Sequence, residues 1–364
     1  HALAIPEFDF AVRGDAERPV AALLDRLAEG GDPSGIPGIL WRRDGAVVDN
    51  GPAEPVEDLD ALPLPHREGL PHDRYYTPAN IRGRTSTIMG SRGCPNQCVF
   101  CNVPHKFRAR SAAHIVDEMA ECATRYGIEE IHFIDDLFNS SVQRVMDISE
   151  EILRRGVKML WGYKASCRNV TPEMLRLAKR AGCYRIHYGV ETHSDEGLRA
   201  INKKLDVARI HEVFRMTREA GVVSIAYMMV GCPHERTPED VLRAIPFIRS
   251  LDPHYVVYSL FTPYPDTEIF RQGAALGLWD ADVWIRFMRD PQPGVKLPTV
   301  WTQWMDEPTL LDLFKRVNRA FYFSPRVLWR TARGIPGPAH LAGAVRGGLS
   351  VAKLQLIRPG SGGI

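Results

Sequence analysis

Between residues 85 and 290, the spacing of apolar positions switches repeatedly from a strand period to a helix period. Six short runs are mainly apolar rather than strictly alternating, which is typical of parallel strands covered on both faces. Strands are predicted at Thr85–Gly90, Ile131–Asp135, Leu160–Ser166, Arg185–Glu191, Ser224–Gly231 and Tyr255–Thr262. Stretches with helical spacing separate them, at Ala112–Tyr126, Gln143–Arg155, Pro172–Ala181, Val207–Ala220 and Pro238–Leu251.

Local signals support the ends of these helices. Thr171-Pro172-Glu173 and Thr237-Pro238-Glu239 each offer a Thr cap, a proline in the first turn and an acid near the helix start. Glycines stand where three helices should end, at Gly127, Gly182 and Gly221. Consecutive β–α units imply right-handed crossovers and a parallel sheet. Periodicity leaves open whether the sheet is a doubly wound layer or a curved partial barrel. In both, ligands bind at the C-terminal ends of the strands.

Composition narrows the class of protein. The chain has 364 residues, enough for one large domain with extensions or for two domains. Its net charge of +2 is too weak to indicate a nucleic-acid partner. No run of eighteen apolar residues occurs, and the first ten residues lack the features of a signal peptide. We therefore expect a cytoplasmic protein.

A cluster of three cysteines carries the strongest chemical signal. The segment Ser91-Arg-Gly-Cys94-Pro-Asn-Gln-Cys98-Val-Phe-Cys101-Asn forms the loop after the first predicted strand. Three thiolates can ligate three irons of a [4Fe–4S] cube and leave the fourth iron open, as a catalytic metal site requires. The alternative is structural zinc with His105 as fourth ligand, although zinc motifs usually pair C-x-x-C units. The remaining cysteines are interpreted as small buried hydrophobic side chains: Cys122, Cys167, Cys183 and Cys232.

The run Cys94-Pro-Asn-Gln-Cys98-Val-Phe-Cys101 resembles the signature of the radical S-adenosylmethionine (SAM) superfamily, including the aromatic residue before the third cysteine. The resemblance covers residues 80–290 and implies a partial (β/α)6 TIM-like barrel. It implies that Cys94, Cys98 and Cys101 hold a [4Fe–4S] cluster whose open iron is chelated by the amino and carboxylate groups of SAM. An electron from the cluster would then split the sulfonium into methionine and a hydrogen-abstracting 5′-deoxyadenosyl radical.

The ends of the second, third and fourth strands supply candidate SAM-binding residues. Asp135 and Asp136 could accept hydrogen bonds from the SAM amine. By resemblance the glycine/glutamate motif of the superfamily lies there, although the glycines are absent. Arg168 could fork onto the SAM carboxylate. Glu191, next to Gly189, could bind the ribose hydroxyls or the methionyl amine, and a buried carboxylate there needs a partner. The alternatives are a solvated helix start for the aspartates and a surface salt bridge for the arginine.

The fifth and sixth strand ends also resemble superfamily elements. Met229-Val-Gly231-Cys-Pro-His-Glu235 resembles the adenine-contacting motif, with Gly231 bringing the backbone close to the ring. Pro263-Tyr264-Pro-Asp266-Thr267 resembles a Pro-Tyr-Pro-Gly-Thr element, with Asp266 in place of the glycine. No residue is assigned a further catalytic role. Core packing is expected for three histidines in or beside the strands: His132, His187 and His254. It is also expected for Tyr188, Tyr227 and Tyr258, for which the alternative is a position facing the barrel lumen.

The N-terminal flank, residues 1–80, contains a predicted strand (Phe8–Arg13), a helix (Val20–Glu29) and a Pro-rich connector from Asp58 to Pro65. Together with Ile36-Pro-Gly38-Ile-Leu-Trp, it resembles the end of a cobalamin-binding domain in cobalamin-dependent radical SAM enzymes. The Asp-x-His-x-x-Gly element whose histidine would ligate cobalt is missing from this chain. The interpretation is therefore a truncated remnant: cobalamin belongs to a full-length parent and is doubtful in this chain.

The C-terminal flank, residues 291–364, is predicted to be a helical extension of the core at residues 81–290. It has no acidic residue after Asp312 but many basic ones, interleaved with aromatic residues. One interpretation is peripheral contact with an anionic membrane surface. The other is an amphipathic helix packed over the barrel mouth.

The function predicted from these features is C-methylation of an unactivated carbon on a small-molecule or lipid-like substrate. An external one-electron reductant, flavodoxin or ferredoxin, would supply the electron. One alternative is radical oxidative cyclisation or rearrangement. Another is a methylthiotransferase, which usually carries three more cysteines upstream, whereas residues 1–93 contain none. A zinc or iron–sulfur binding module without activity is a third, but a binding module does not need six β–α units with polar strand ends.

Overall fold

The structure is a computed structural model that describes residues 3, 5–75, 83–290 and 297–333. The chain divides into two compact units. The first comprises residues 1–59 with 279–297, and the second comprises residues 60–278 with 298–364. Residues 334–364 of the predicted helical extension, with the basic residues they contain, lie outside the described residues. The division into a remnant, a core and an extension stays a prediction.

The first unit contains a small antiparallel sheet and two α-helices. Its elements are β1 (Phe10–Val12), α1 (Glu17–Ala28), β2 (Ile39–Arg43), β3 (Ala46–Asp49) and, from its second segment, α10 (Val283–Arg289). The strand order is β1-β2-β3. Asp44 and Gly45 both have positive φ between β2 and β3, as the favoured two-residue hairpin turn requires. The unit has a small apolar core of its own, made by Leu23, Ile36, Ile39 and Trp41.

The second unit is built on a six-stranded sheet. A short antiparallel pair, β5 (Ser91–Arg92) and β6 (Arg108–Ala109), lies outside it. The six strands are β4 (Thr85–Ile88), β7 (Glu130–Phe133), β8 (Leu160–Ala165), β9 (Cys183–Glu191), β10 (Val223–Val230) and β11 (Tyr255–Leu260). They follow one another in chain order across the sheet, and every neighbouring pair is parallel. A doubly wound sheet reverses its strand order at a switch point, whereas this sheet never does. The partial (β/α)6 barrel is therefore confirmed.

The helices follow the predicted pattern closely. They are α2 (Ala112–Tyr126), α3 (Val142–Arg155), α4 (Pro172–Arg180), α5 (Asp195–Ala200), α6 (Val207–Glu219), α7 (Pro238–Leu242), α8 (Ala244–Leu251), α9 (Glu268–Ala275), α10 (Val283–Arg289) in the first unit, α11 (Glu307–Tyr322) and α12 (Pro325–Arg333). Thr171 and Thr237 cap α4 and α7 through their side chains, as predicted. The single helix predicted over Pro238–Leu251 is wrong. Pro246 has no N–H to donate to the carbonyl of Leu242, and the helix is interrupted at Arg243, between α7 and α8.

The helices cover one side of this sheet, the outer face, where the main core lies. Its largest fully buried strand residues are aromatic, namely Phe133, Trp161, Tyr163 and Tyr188. Tyr258 also belongs to this core, as expected for both it and Tyr188. The opposite side, the inner face, carries residues that alternate with these along the strands. It includes three residues whose predicted core packing is wrong, because they are only half-buried and face the polar side: His132, His187 and Tyr227.

Two of the basic residues after α11 are held by the protein itself. Arg326 and Arg330 of α12 lie 2.5 and 3.3 Å from the carboxylate of Asp252. Trp329 of the same helix is 60% exposed. Among the described residues, no helix is both long and apolar enough to cross a membrane.

Candidate active site at the carboxyl edge of the sheet

The cysteine loop begins where β4 ends, at the carboxyl edge of the sheet. Strands β5 and β6 close its base by pairing Ser91 with Ala109. Gly93 has φ of +79°, and a Cβ there would lie 2.3 Å from the carbonyl oxygen of Lys106. No residue with a side chain fits this close approach. The Cys94 N–H then donates to the Pro104 carbonyl at 2.9 Å. The backbone thus folds residues 94–104 into a closed loop that contains all three cysteines.

The three loop thiols are half-buried and free of disulfide bonds. Burial raises the pKa of Cys98 and of Cys101, and Cys94 is near enough to raise both further. The Lys203 ammonium has the opposite effect on both thiols. A bound metal would offset the burial and the mutual repulsion of these thiols, because coordination stabilises the thiolate form, and the nearby Lys203 cation acts in the same direction. This donor set fits an iron–sulfur cluster.

The arrangement differs from a site for one metal ion. Among the described residues, no three His, Cys, Asp or Glu side chains are placed to hold a metal ion together. His105, considered as a zinc ligand, instead has its Nδ1 within 2.9 Å of the Asn96 carbonyl oxygen. A [4Fe–4S] cube binds its thiolates through separate irons, so its ligands need not surround one point. The chemistry of the three thiols therefore suits a cube better than zinc.

The other four cysteines behave differently from these. All four are fully buried. Burial raises the pKa of Cys122 to about 11 and that of Cys167 to about 12. Their interpretation as small buried hydrophobic side chains is confirmed.

Asp135 and Asp136 follow β7 and hold the start of the cysteine loop. One oxygen of Asp135 accepts from the Gly90 N–H at 2.7 Å, and the other accepts from Ser91 Oγ at 2.5 Å. Asp135 is buried, which raises its pKa. Asp136 is exposed, and its Oδ2 accepts from the Gly93 N–H at 3.2 Å. Both aspartates therefore position the loop. Of the two, only Asp136 also presents its carboxylate at the surface, so contact between Asp135 and SAM stays a prediction.

Arg168, after β8, also reaches the cysteine loop. Its Nη1 donates to Asn96 Oδ1 at 3.0 Å. The amide of Asn96 lies 3.5 Å from Cys94 Sγ. The side chain of Arg168 is otherwise exposed, so its guanidinium is available at the rim of the sheet.

Glu191 ends β9 in a left-handed conformation, with φ of +70°. The register between β9 and β10 shifts at this point, which marks a β-bulge. Bulges re-aim side chains, and this one directs Glu191 to Lys203, whose Nζ lies 2.7 Å from its Oε1. A Cβ at Gly189 would lie 2.5 Å from that oxygen and 2.9 Å from Nζ. The groups that approach the backbone of Gly189 closely are therefore the side chains of Glu191 and Lys203.

Lys203 is the main functional residue that sequence reasoning missed. Burial opposes its charge, but Glu191 and Cys98 overcome this and raise the pKa of Lys203. The sequence indicated only that a buried Glu191 needs a cationic partner. It did not show which lysine or arginine would lie beside Glu191.

Gly231 follows β10 with φ of +82°. A Cβ at Gly231 would lie 2.7 Å from Leu310 of α11. The lack of a side chain at Gly231 therefore leaves room for Leu310. The N–H groups of Gly231 and Cys232 both donate at 2.8 Å to Glu235, which is buried. Burial raises the pKa of Glu235 to about 7, against the effect of these two bonds. Contact between Gly231 and adenine stays a prediction.

The departure at Asp266 has a simple structural reason. Asp266 has φ of +66°. Aspartate tolerates the left-handed region better than most residues, so it can take the place of a glycine. Thr267 then caps α9, and its Oγ1 donates to the Tyr264 carbonyl at 2.6 Å. The turn therefore keeps its shape without the glycine.

Comparison with known proteins agrees with this geometry. The family model of the radical SAM superfamily matches residues 88–248, which contain the cysteine loop and the ends of β7, β8, β9 and β10. This chain carries a radical SAM domain. An uncharacterized methyltransferase of Pyrococcus horikoshii is 28% identical over 89% of this chain and 69% of its own length. The chain is therefore an enzyme.

Two further relatives extend the comparison. The anaerobic magnesium-protoporphyrin IX monomethyl ester cyclase of Cereibacter sphaeroides is 26% identical over 73% of this chain. The cobalamin-dependent SAM radical enzyme OxsB in its apo form matches 95% of the chain with a TM-score of 0.68 at 15% identity, a likeness of fold. This chain spans 45% of the cyclase and 55% of OxsB. The radical SAM fold implies SAM and a [4Fe–4S] cluster as cofactors, and such enzymes require a substrate and an electron donor.

Proposed function

We propose that this chain cleaves SAM reductively at the cysteine loop and methylates a carbon atom of a small-molecule or lipid-like substrate. The proposal rests on one observation at the carboxyl edge of the sheet. The Glu191–Lys203 ion pair lies near Cys98, one of the three free thiols of the cysteine loop. The similarity to a methyltransferase supports the choice of methylation.

In this proposal Cys94, Cys98 and Cys101 hold a [4Fe–4S] cluster. Such a cluster would supply one electron for cleavage of a carbon–sulfur bond of SAM, giving methionine and a 5′-deoxyadenosyl radical that takes a hydrogen atom from the substrate. A second SAM would supply the methyl group and leave as S-adenosylhomocysteine, and the external reductant would supply the second electron that this transfer needs. Three cysteines in the loop would leave one iron of the cube without a cysteine ligand from the loop. The backbone of Gly93 and the carboxylates of Asp135 and Asp136 fix the loop in place.

The charged residues at the rim would bind SAM. The Lys203 ammonium beside Cys98 can attract the SAM carboxylate, and Arg168 can fork onto the same group. Glu191 is held by Lys203 and has a second oxygen for the SAM amine or the ribose hydroxyls. Asp136 is exposed next to Gly93 and is a second acceptor for the amine. Gly231 is proposed to line the adenine side.

Radical cyclisation or rearrangement is the second candidate reaction. The similarity to the anaerobic cyclase of Cereibacter sphaeroides favours this reaction. That similarity covers 73% of this chain and 45% of the cyclase. A binding module without activity has no comparable support from the site, since it would not need the Glu191–Lys203 ion pair beside the thiols.

Several partners belong to the proposal. Flavodoxin or ferredoxin is the proposed electron donor, and no nucleic acid is expected. A cytoplasmic location, with peripheral membrane contact through the C-terminal tail, remains part of the proposal. OxsB is a cobalamin-dependent enzyme. We assign no residue of this chain to cobalamin, since no Asp-x-His-x-x-Gly element occurs in it.

Products derived from SAM distinguish the two candidate reactions. The full chain is reconstituted anaerobically with iron and sulfide and then given SAM with a deuterated methyl group, dithionite, and a metabolite extract. Methylation predicts both 5′-deoxyadenosine and S-adenosylhomocysteine, together with label in an extract component. Cyclisation predicts 5′-deoxyadenosine without S-adenosylhomocysteine and without label transfer, and this result would overturn the methylation proposal.

A further inference from the structure

The inner face of the barrel carries a group of polar side chains that the proposed SAM chemistry does not use. Four neighbouring strands supply one residue each to this group, the lumen cluster: His132 of β7, Lys164 of β8, His187 of β9 and Tyr227 of β10. Their chain neighbours on the outer face are apolar or aromatic and fully buried. Four strands thus place polar residues on the same side at similar depth.

The members of the lumen cluster are in direct contact or in register. The rings of His132 and His187 have centroids 4.9 Å apart. His187 Nδ1 and Tyr227 Oη form a hydrogen bond of 2.9 Å. Lys164 is paired with His187 in the register of β8 and β9. Paired residues on adjacent strands are separated by the strand spacing of about 4.8 Å, so Lys164 and His187 lie side by side.

Two nitrogen atoms of the lumen cluster are buried without a hydrogen-bond partner among the described residues. These atoms are His132 Nδ1 and His187 Nε2. The other nitrogen of His187 is taken by Tyr227, and His132 has a hydrogen bond with the Gly162 backbone. Buried polar atoms are nearly always satisfied. Two adjacent exceptions therefore mark a place where a ligand would supply the missing partners.

The charge at this place is positive. The neighbouring inner-face pairs are internally balanced: Arg185 lies 3.3 Å from Glu130, and Lys203 lies 2.7 Å from Glu191. Lys164 is exposed, and no carboxylate of the described residues lies within salt-bridge distance of it. Burial, together with nearby cationic groups that include Arg185 and Lys164, lowers the pKa of His132 to about 4 and that of His187 to about 3. The imidazoles are therefore neutral, and among the described members of this group Lys164 carries the unbalanced charge.

We propose that the lumen cluster binds an anionic oxygen group of the substrate, a carboxylate or a phosphate-type group, with Lys164 as its counter-ion and His187 Nε2 as a hydrogen-bond donor. Tyr227 Oη donates to His187 Nδ1 in this arrangement, which places the imidazole proton on Nε2. His132, whose ring hydrogen donates to the Gly162 backbone, leaves Nδ1 to accept from a hydroxyl or amine beside the anion.

The depth of the lumen cluster relates it to the SAM site. His187 precedes Glu191 by four residues on β9, a distance of roughly 13 Å along a strand. An acidic group bound at Lys164 would hold the rest of the substrate in the lumen, with its reacting carbon nearer the cysteine loop. This inference rests on the proposed function and narrows its substrate to an acid with a reacting carbon remote from the acidic group. It disfavours a lipid without an acidic head.

Lysine footprinting tests the anion site without requiring turnover. The full reconstituted chain is acetylated under limiting reagent in phosphate or in chloride at equal ionic strength, and each lysine is quantified by mass spectrometry. Inorganic phosphate is the probe. Lys158, exposed in the loop between α3 and β8, is the internal control. We expect phosphate to slow labelling of Lys164 about 5-fold, which corresponds to roughly 1 kcal/mol, and to leave Lys158 unchanged.

Two variants at His187 sharpen this test. His187→Phe removes the donor and should abolish the protection of Lys164, whereas His187→Gln retains an N–H and should restore part of it. Circular dichroism checks that both variants are folded. Equal labelling of Lys164 in phosphate and chloride would overturn the anion site, as would protection that survives His187→Phe. Failure of the proposed function would appear separately, as absence of 5′-deoxyadenosine from the wild-type chain.

Discussion

The outer and inner faces of the six-stranded sheet are made by the same strands but differ in packing and in charge. On the outer face, Phe133, Trp161 and Tyr188 are fully buried beneath the helices. On the inner face, Lys164 is exposed and His187 is only half-buried. The outer face holds the barrel together, and the inner face and the carboxyl edge carry the groups that can bind ligands. The same contrast separates the two sets of cysteines, since the loop thiols are accessible and the others are buried.

The largest expected effect separates the two sets of cysteines. Cys98→Ala should reduce bound iron and sulfide to background after anaerobic reconstitution, because a cube needs all its thiolate ligands. Cys122→Ala, on α2, is the matched control and should keep about four irons per chain. Iron and sulfide analysis with the visible absorption spectrum measures both. Wild-type iron content in Cys98→Ala would contradict the assignment of the loop.

The next effect compares the two faces in stability. Trp161→Ala opens a large cavity in the outer core and should lower the free energy of unfolding by about 3–5 kcal/mol. His187→Ala removes a half-buried ring with one hydrogen bond and should cost about 1 kcal/mol. Urea unfolding followed by circular dichroism measures the difference. Similar losses for the two variants would mean that the inner face is packed as tightly as the outer one.

A third prediction concerns the pH dependence of stability at the carboxyl edge. Glu235 has a pKa of about 7 in the folded protein against an ordinary value of 4.5. Between these values the folded protein binds more protons than the unfolded chain, so its stability falls as pH rises. The contribution is complete below pH 4.5 and is lost above pH 7. It amounts to about 3 kcal/mol.

Glu235→Gln keeps an acceptor for the Gly231 and Cys232 N–H groups but cannot ionise. The variant should therefore be less sensitive to pH between 4.5 and 7 than the wild type. Thermal unfolding at several pH values measures this. Parallel pH profiles for the two proteins would show that Glu235 titrates normally.

The smallest of these effects tests the ion pair beside the loop. Lys203→Met leaves Glu191 without its partner and removes the cation near Cys98. We expect SAM affinity to fall about 10-fold, equivalent to one charge-assisted hydrogen bond, with cluster content retained. Lys203→Arg should recover part of the affinity. Equilibrium dialysis with labelled SAM measures it, and an unchanged dissociation constant in Lys203→Met would place the SAM carboxylate elsewhere.

The sequence allowed most of the outer face to be predicted, and less of the inner face. Apolar runs and Thr or Gly signals located all six strands and most helix ends, because these depend on local spacing. The cysteine loop was equally clear, because its three cysteines lie within eight residues. Strand order decided between barrel and layer, and it depends on contacts between strands that no local pattern records.

The remainder of the site could not be predicted because it depends on distant residues and on backbone geometry. Lys203 meets Glu191 only through a bulge and the bare backbone of Gly189. The lumen cluster takes a single residue from each of four strands. Within a single strand each of these residues lies between buried apolar neighbours, so core packing was expected for His132 and His187. Proximity across parallel strands is what gives these residues a common role.

Reductive cleavage of SAM tests the central claim most directly. The wild-type chain, reconstituted anaerobically with iron and sulfide and reduced with dithionite, is incubated with SAM, and nucleoside products are separated by liquid chromatography. The account predicts 5′-deoxyadenosine in the wild type and none in Cys98→Ala. Absence of 5′-deoxyadenosine from a wild-type chain that carries a full complement of cluster iron would contradict it.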